Sequence, residues 1–396
     1  MTDPRQIARQ LFDAGVAAAD PYAAVTNAAA QIAPPALIVA VGKAATRMAQ
    51  AAIDMFGPTK TLVVTNYENA QPVAGARVFA AGHPVPDTAG AKAAQAVITA
   101  LQQATGPVLV LVSGGGSALL PAPAGQITLD DKAAVNTALL ASGLDITAMN
   151  MIRQQLSDLK GGGMLRHAAG PVTALILSDV VGDDLSTIAS GPTAPPLGTA
   201  AMARNALRHV WLWDDLPDSV KAHLALDLTA TSLPAARNIL VGSNGQSVAA
   251  MQRLAPDAIA LPNPVEGDVQ TAAKLICDQS SAGILLWGGE TTVQLQGTGK
   301  GGRNQELALH IACEAQRRGW SNFTCLAGGT DGRDGPVDAA GGIVDAGTLA
   351  RIKAAGGDIT ALLANNDSNH ALGLAGDLLI TGATGTNVAD LGVLIR

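Results

Sequence analysis

Three cysteines in 396 residues, Cys277, Cys313 and Cys325, stand far apart without Cys-x-x-Cys or Cys/His spacing. This excludes a disulfide framework and any zinc site of recognisable pattern, and it suits a reducing cytoplasm in which thiols act as small core residues. Aromatics make up only 3% of the chain and charged residues 14%, against 48% hydrophobic. The core must therefore be built from Ala, Val, Leu and Ile. Positive charge is in deficit as well: 25 Lys and Arg against 32 Asp and Glu leave a net charge of −7. No basic field is available for counterion release, so nucleic acid is not an expected partner. Long apolar runs are missing too, and none approaches the ~18–20 residues that span a bilayer. The opening Met1-Thr-Asp-Pro-Arg-Gln shows no basic region ahead of an apolar segment. Neither a membrane anchor nor a secretory signal is expected.

What the chain has in quantity is glycine, 44 residues gathered in tight clusters without a fixed period. Such clusters point to functional loops rather than to fibrous or low-complexity structure. Apolar bursts alternate with Ala-rich segments of helical period. The bursts are Leu37–Val41, Leu62–Thr65, Val108–Val112, Val172–Leu177, Ile239–Val241, Ile284–Trp287, Phe323–Leu326 and Leu378–Ile380, and the clearest helical segments are Ala44–Phe56, Ala89–Gln103 and Asp130–Ala141. Continuously apolar strands between helices indicate parallel sheets covered on both faces. The length calls for two domains. The pattern weakens over 197–240, which places a boundary near residue 235, giving domains 1–235 and 236–396.

Several strand ends carry chemistry. The burst at Val108–Val112 runs into Ser113-Gly114-Gly115-Gly116-Ser117, whose bare amides and hydroxyls suit an anion, aided by the dipole of a following helix. Val41-Gly-Lys43 repeats the strand–glycine pattern and puts Lys43 in a first helical turn, although the P-loop spacing is absent. Arg153, Ser157 and Lys160 share helical spacing and would form one polar face, ended by Gly161–Gly163. Asp179 follows the strand Val172–Leu177, a position from which a carboxylate can hold Mg²⁺ or orient a hydroxyl, and Asp184 reads as a helix cap. In the C-terminal half, Glu290 follows a strand, and Arg303 and Asn304 stand at the junction of a Gly-rich loop and a helix. There a guanidinium can grip a carboxylate or phosphate. Asp331 lies in Gly-Thr-Asp-Gly, among acidic residues spaced by glycine.

In order along nearly the whole chain, Val41-Gly-Lys-Ala-Ala45, Gly82-His-Pro-Val-Pro-Asp87, Ser113-Gly-Gly-Gly-Ser-Ala118, Arg153…Lys160-Gly-Gly, Ser178-Asp-Val-Val-Gly-Asp183, Ile188-Ala-Ser-Gly-Pro-Thr193, Gly288-Gly-Glu-Thr-Thr-Val293, Gly301-Gly-Arg-Asn-Gln-Glu-Leu307 and Gly329-Thr-Asp-Gly332 resemble the class II glycerate 2-kinase family. Its C-terminal half is the MOFRL domain, and its members have also been labelled hydroxypyruvate reductases. The resemblance implies two α/β domains, a Rossmann-like parallel sheet followed by the MOFRL domain, with the active site in the interdomain cleft. It implies transfer of the ATP γ-phosphoryl group to the 2-hydroxyl of D-glycerate with Mg²⁺, and Lys43 and Arg303 match the family's proposed catalytic residues. With the residue reading, it makes Ser113 to Ser117 the phosphate loop, Arg153, Glu290 and Asn304 the substrate set, and Asp179 and Asp331 the metal ligands. Gln154-Gln155 departs from the more basic family pattern. A homodimer is compatible with the sequence, which does not decide it.

The alternative is a nicotinamide-dependent hydroxypyruvate reductase. It needs a dinucleotide fingerprint, and Gly297-x-Gly299-x-x-Gly302 fits the bare spacing, with Glu314 downstream.

Overall fold

The computed structural model describes residues 3–226 and 233–396, and the chain divides into two compact units. One unit holds residues 21–178 and 183–241. Its strands are β1 (Leu37–Val41), β2 (Lys60–Asn66), β3 (Ala76–Ala81), β4 (Val108–Val112), β5 (Val172–Leu177) and β6 (Arg237–Gly242), in the order β3-β2-β1-β4-β5-β6. The pairings β3/β2, β2/β1, β1/β4 and β4/β5 are all parallel. This is the order of the doubly wound dinucleotide fold, whose strand order reverses beside the first strand. Every residue of β1 and β4 is buried, which is why both read as uninterrupted apolar runs. Helices Ala45–Phe56 and Thr88–Gln103 pack on β1 and β2.

The same unit carries a helical cluster. Helices Leu129–Ala141, Ile146–Gln155, Ala200–His209 and Asp218–Ala225 bury Val135, Leu139, Ile152, Leu207, Val220 and Leu224 against one another. The last two account for part of 197–240, where strand periodicity fades. Positions 227–232 lie outside the described residues.

The other unit comprises residues 1–20, 179–182 and 242–396. Its strands are β7 (Ile259–Ala260), β8 (Val265–Asp268), β9 (Ile284–Thr292), β10 (Thr324–Gly329), β11 (Gly341–Asp345), β12 (Leu378–Leu379) and β13 (Asp390–Ile395), ordered β12-β11-β10-β13-β9-β7 with β8 also on β9. This sheet is mixed: β11, β13 and their neighbours run antiparallel, while β7 and β8 join β9 in parallel. Alternate residues feed opposite faces. Leu285, Trp287, Cys325 and Leu394 meet helices Val269–Gln279 and Arg303–Arg317. Leu286, Leu326, Leu391 and Val393 meet helices Pro4–Ala18 and Asn244–Leu254 through Ala8, Leu11, Phe12, Val248 and Met251. A cut at residue 235 assigns Pro4–Ala18 and β6 differently from the structure. The first helix packs on the C-terminal sheet, because its apolar stripe matches a face there, and β6 completes the N-terminal one.

The three thiols are free, with Cys277 and Cys325 buried. Among the described residues no helix is long and apolar enough to cross a membrane.

Candidate active site

The carboxyl ends of β1 and β4 stand side by side at the strand-order reversal, where open α/β sheets bind their ligands. Two loops are laced together there. The Lys43 amide donates to the Gly114 carbonyl (2.9 Å), the Ser113 amide to Val41 (2.9 Å), and the Ala44 amide to Ser113 Oγ (3.1 Å). Ser113 Oγ also lies 3.3 Å from the Val41 carbonyl, and the residue is 1% exposed. Its hydroxyl is committed to joining the loops, so the expected phosphate contact from Ser113 is not available. Lys43 precedes helix Ala45–Phe56 rather than lying in its first turn. Its side chain converges with His83 on Gly115: a Cβ on Gly115 would stand 3.2 Å from the His83 ring and from Lys43 Cγ. Gly115 has φ +83°, a left-handed conformation that glycine adopts freely. Burial, and then the charge of Lys43, lower the His83 pKa below the ordinary imidazole value.

After the glycines, helix Gly116–Leu119 has a single turn, so the expected dipole contribution is small. Ser117 turns toward a cavity of about 400 Å³ that also holds Lys132, Arg153, Lys160, Asn150 and Ser190. Ser117 and Ser190 share a hydrogen bond of 2.7 Å. Ser190 and its neighbour Ala189 hold φ of +61° and +49°. Non-glycine residues persist in this region only where the surroundings over-determine them. Here Gln154 donates to the Ser186 and Ser190 carbonyls (2.9 and 3.3 Å) and accepts from the Leu197 amide (2.8 Å). The departure at Gln154 therefore serves as a buried clamp on the 186–197 loop.

Arg153, Ser157 and Lys160 do not form a helical face, since the helix ends at Gln155. Arg153 and Lys160 nonetheless reach the same cavity, Lys160 from the turn beyond. Ser157 is buried, its Oγ accepting from the Leu159 amide.

In the other unit Arg303 opens helix Arg303–Arg317. It does not stand free for a substrate carboxylate. Its Nε and Nη2 donate to Asp390 (2.6 and 3.1 Å) and its Nη1 to Glu290 (2.7 Å). Asp390 is buried at the start of β13. Desolvation pushes its pKa up to about 6, and the ion pair with Arg303 pulls the other way. Asn304 is only 2% exposed and donates through its amide and side chain to Asp334, which also accepts from the Gln305 amide (2.8 Å). Asp334 thus caps the helix, and Asn304 serves the fold rather than a ligand. Asp390, His83, Lys132 and Ser190 went unsingled in the sequence. Of these, only His83 and Ser190 lie in motifs that could have flagged them.

Asp331 Oδ1 accepts from the Arg333 amide (3.0 Å), and Asp179 stands two residues past β5 in the same unit as Asp331. Among the described residues no group of three His, Cys, Asp or Glu could hold a metal. Asp184 caps its own turn, accepting from the Ser186 amide and hydroxyl.

The Gly297–Gly302 loop is also committed. The Gln296 and Gly297 amides donate to Asn366 Oδ1, Thr298 to Asn365 Oδ1, Gly299 to the Asn365 carbonyl and Lys300 to Asp367 Oδ1. Amides occupied in this way cannot cradle a pyrophosphate.

Comparison with known proteins bears on what these sites do. Residues 7–225 match a family model described as a domain of unknown function, DUF4147, and residues 283–390 match the MOFRL family. The chain is 36% identical to a glycerate 2-kinase of Pyrococcus horikoshii, over 99% of this chain and 97% of that one. It is 39% identical to a protein of Agrobacterium vitis that carries a provisional hydroxypyruvate reductase name, over 99% and 94%. The crystal structure of Thermotoga maritima glycerate kinase superposes with a TM-score of 0.93 at 36% identity, covering 99% of each chain.

Proposed function

Because this chain belongs to the glycerate 2-kinase family, with its C-terminal MOFRL domain, we propose that it transfers the γ-phosphoryl group of ATP to the 2-hydroxyl of D-glycerate. The β–γ bridging P–O bond breaks, a new bond forms to the glycerate oxygen, and the hydroxyl proton leaves. The products are 2-phosphoglycerate and ADP. Phosphoryl transfer needs alignment and charge stabilisation more than covalent help from the protein. The observation that carries the reading is the convergence of Lys43 and Gly115 at the strand-order reversal, a cation beside a loop of bare backbone. We assign Lys43 to the transferring phosphoryl group and the Gly114–Ser117 segment to the nucleotide phosphates. Arg303 is assigned a catalytic role in which ligand charge competes with Asp390 and Glu290 for its guanidinium.

Mg²⁺ is the expected companion of the nucleotide. Such an ion is commonly held by phosphate oxygens with one or two carboxylates, and Asp179 and Asp331, which belong to one unit, are the carboxylates we assign to it. It would neutralise charge on the polyphosphate. The low cysteine count, with every thiol free, supports a reducing, cytoplasmic setting. The reductase reading loses its support with the occupied amides of 296–300.

The test is ADP release from ATP, D-glycerate and Mg²⁺, followed by ³¹P NMR of the product. Glycerate-dependent ADP release and a 2-phosphoglycerate resonance are expected, and Lys43→Ala should lower kcat by at least 100-fold with an unchanged melting temperature. ADP release with D-glycerate no faster than the enzyme's own ATPase background, or NADH oxidation by hydroxypyruvate in the absence of ATP, would sink the assignment.

A further inference from the structure

The cavity beside Ser117 has a composition that a three-carbon monoacid does not explain. Three cationic side chains, Lys132, Arg153 and Lys160, line it, and no Asp or Glu does. The Lys132 ammonium is sealed from solvent with no hydrogen-bond partner, and so is Arg153 Nε. Lys160 is 9% exposed. Arg153 is aimed by two amide oxygens, Asn136 (2.6 Å) and Asn150 (3.3 Å), neither of which neutralises it. Asp158, outside the lining, offsets part of the Lys132 charge, and enclosing three cations against so little counter-charge is costly. The arrangement becomes favourable once a polyanion enters.

The volume, about 400 Å³, falls within the ~300–1,000 Å³ of pockets that enclose ligands far larger than glycerate. Much of the remaining lining is apolar, with Val85, Pro121, Leu129 and Val135 among its residues. A cavity that combines three cations with apolar side chains matches a molecule with a polyphosphate at one end and a flat, weakly polar ring at the other. Glycerate offers one carboxylate and nothing for the apolar lining.

The geometry points to this cavity as the seat of the nucleotide, with Lys132, Arg153 and Lys160 binding its polyphosphate and the apolar lining taking its base. The inference rests on the kinase reading and deepens it. It reassigns Arg153 from the sugar acid to the nucleotide, and it adds Lys132 and Lys160 as binding residues.

Protonation follows from the same crowding. Burial brings Lys132 down to about 8, while Asp158 opposes the shift, and burial with the charges of Lys132 and Arg153 lowers Lys160 well below an ordinary lysine. A polyanion reverses those influences, so binding draws protons from solution.

The test is calorimetric titration of the whole protein with ADP, tripolyphosphate and, separately, D-glycerate, alongside steady-state kinetics. Lys132→Met and Lys160→Met should each weaken ADP and tripolyphosphate at least tenfold and raise the KM for ATP in parallel. The KM for D-glycerate should move less than twofold, and the melting temperature should hold or rise. For the wild type at pH 8, ADP titrated in two buffers of different ionisation enthalpy should show net proton uptake. This measurement does not depend on the variants folding. Unchanged ADP affinity in both variants, a loss that falls on D-glycerate instead, or binding without proton uptake each overturns the assignment. Tripolyphosphate binding is read without turnover, so failure of the kinase reading and failure of this one are separable.

Discussion

Arg303 and Asp390 show how one contact can change the meaning of a residue. An arginine at a loop–helix junction reads as an anion grip, and here it is held by two carboxylates. Asp390 carries the clearer consequence. An unfolded aspartate titrates near 3.8, whereas burial raises Asp390 to about 6. The native state therefore binds more protons between those values, and this group's contribution to stability is full below pH ~4 and declines as pH rises through ~6. The decline is worth at most about 3 kcal/mol. Asp390→Asn removes it, so urea melts should show the variant gaining on the wild type from pH 4 to pH 7. A constant difference across that window would mean that Asp390 is ionised throughout. At this scale legibility was uneven. Lys43 and Ser117 could be found because each follows a buried strand by a few residues. Ser113 looked identical in type, yet its hydroxyl is consumed by Val41 and Ala44. Asp390 gave no signal, since an acid before an apolar strand ordinarily marks a turn.

Among elements, the contact that sets the site is between the turn after β4 and the 188–191 loop. A Cβ at Gly116 would lie 2.7 Å from the Cβ of Ala189, and neither side has a flexible end to yield. Gly116→Ala should cost about 1–3 kcal/mol through overpacking, seen as a melting point lower by several degrees. It should also raise the KM for ATP, because the wedge separates Ser117 from Ser190. Normal KM with an unchanged melt would show that the two loops move independently. The parallel strands were readable because both their faces are buried. Half-exposed β3 has no such run, and β11 and β13 are broken by glycines, so their antiparallel pairing left no periodic trace. The cationic cavity was illegible for a related reason: Lys132 and Lys160 become neighbours only when the helical cluster packs, which no local spacing announces.

For the molecule as a whole, the decisive surprise is the first helix. Phe12 is fully buried, seated on the C-terminal sheet against Gly328, and Arg5 pairs with Asp345 and Asp377. Phe12→Ala should destabilise that sheet by about 3–5 kcal/mol. Differential scanning calorimetry should register it as a clear drop in the transition assigned to the C-terminal unit, and a shift confined to the other transition would contradict the packing described. The two-unit division was visible in length and in the fading pattern near 235. The crossing of the N-terminus to the later unit was not, because an amphipathic helix does not state which sheet it will cover.

That crossing has a consequence during translation. Arg5 leaves the ribosome well ahead of one of its partners, Asp377, which follows 372 residues later. At roughly 5–20 residues per second the delay is about 20–70 s. Throughout that time the sheet under the helix lacks β13, the strand that joins β10 to β9. The nascent chain must carry Leu11 and Phe12 without their complete sheet, and the C-terminal unit can close only once β13 has been made. Fusions that bury or anchor the N-terminus should then slow the appearance of active protein rather than its later turnover.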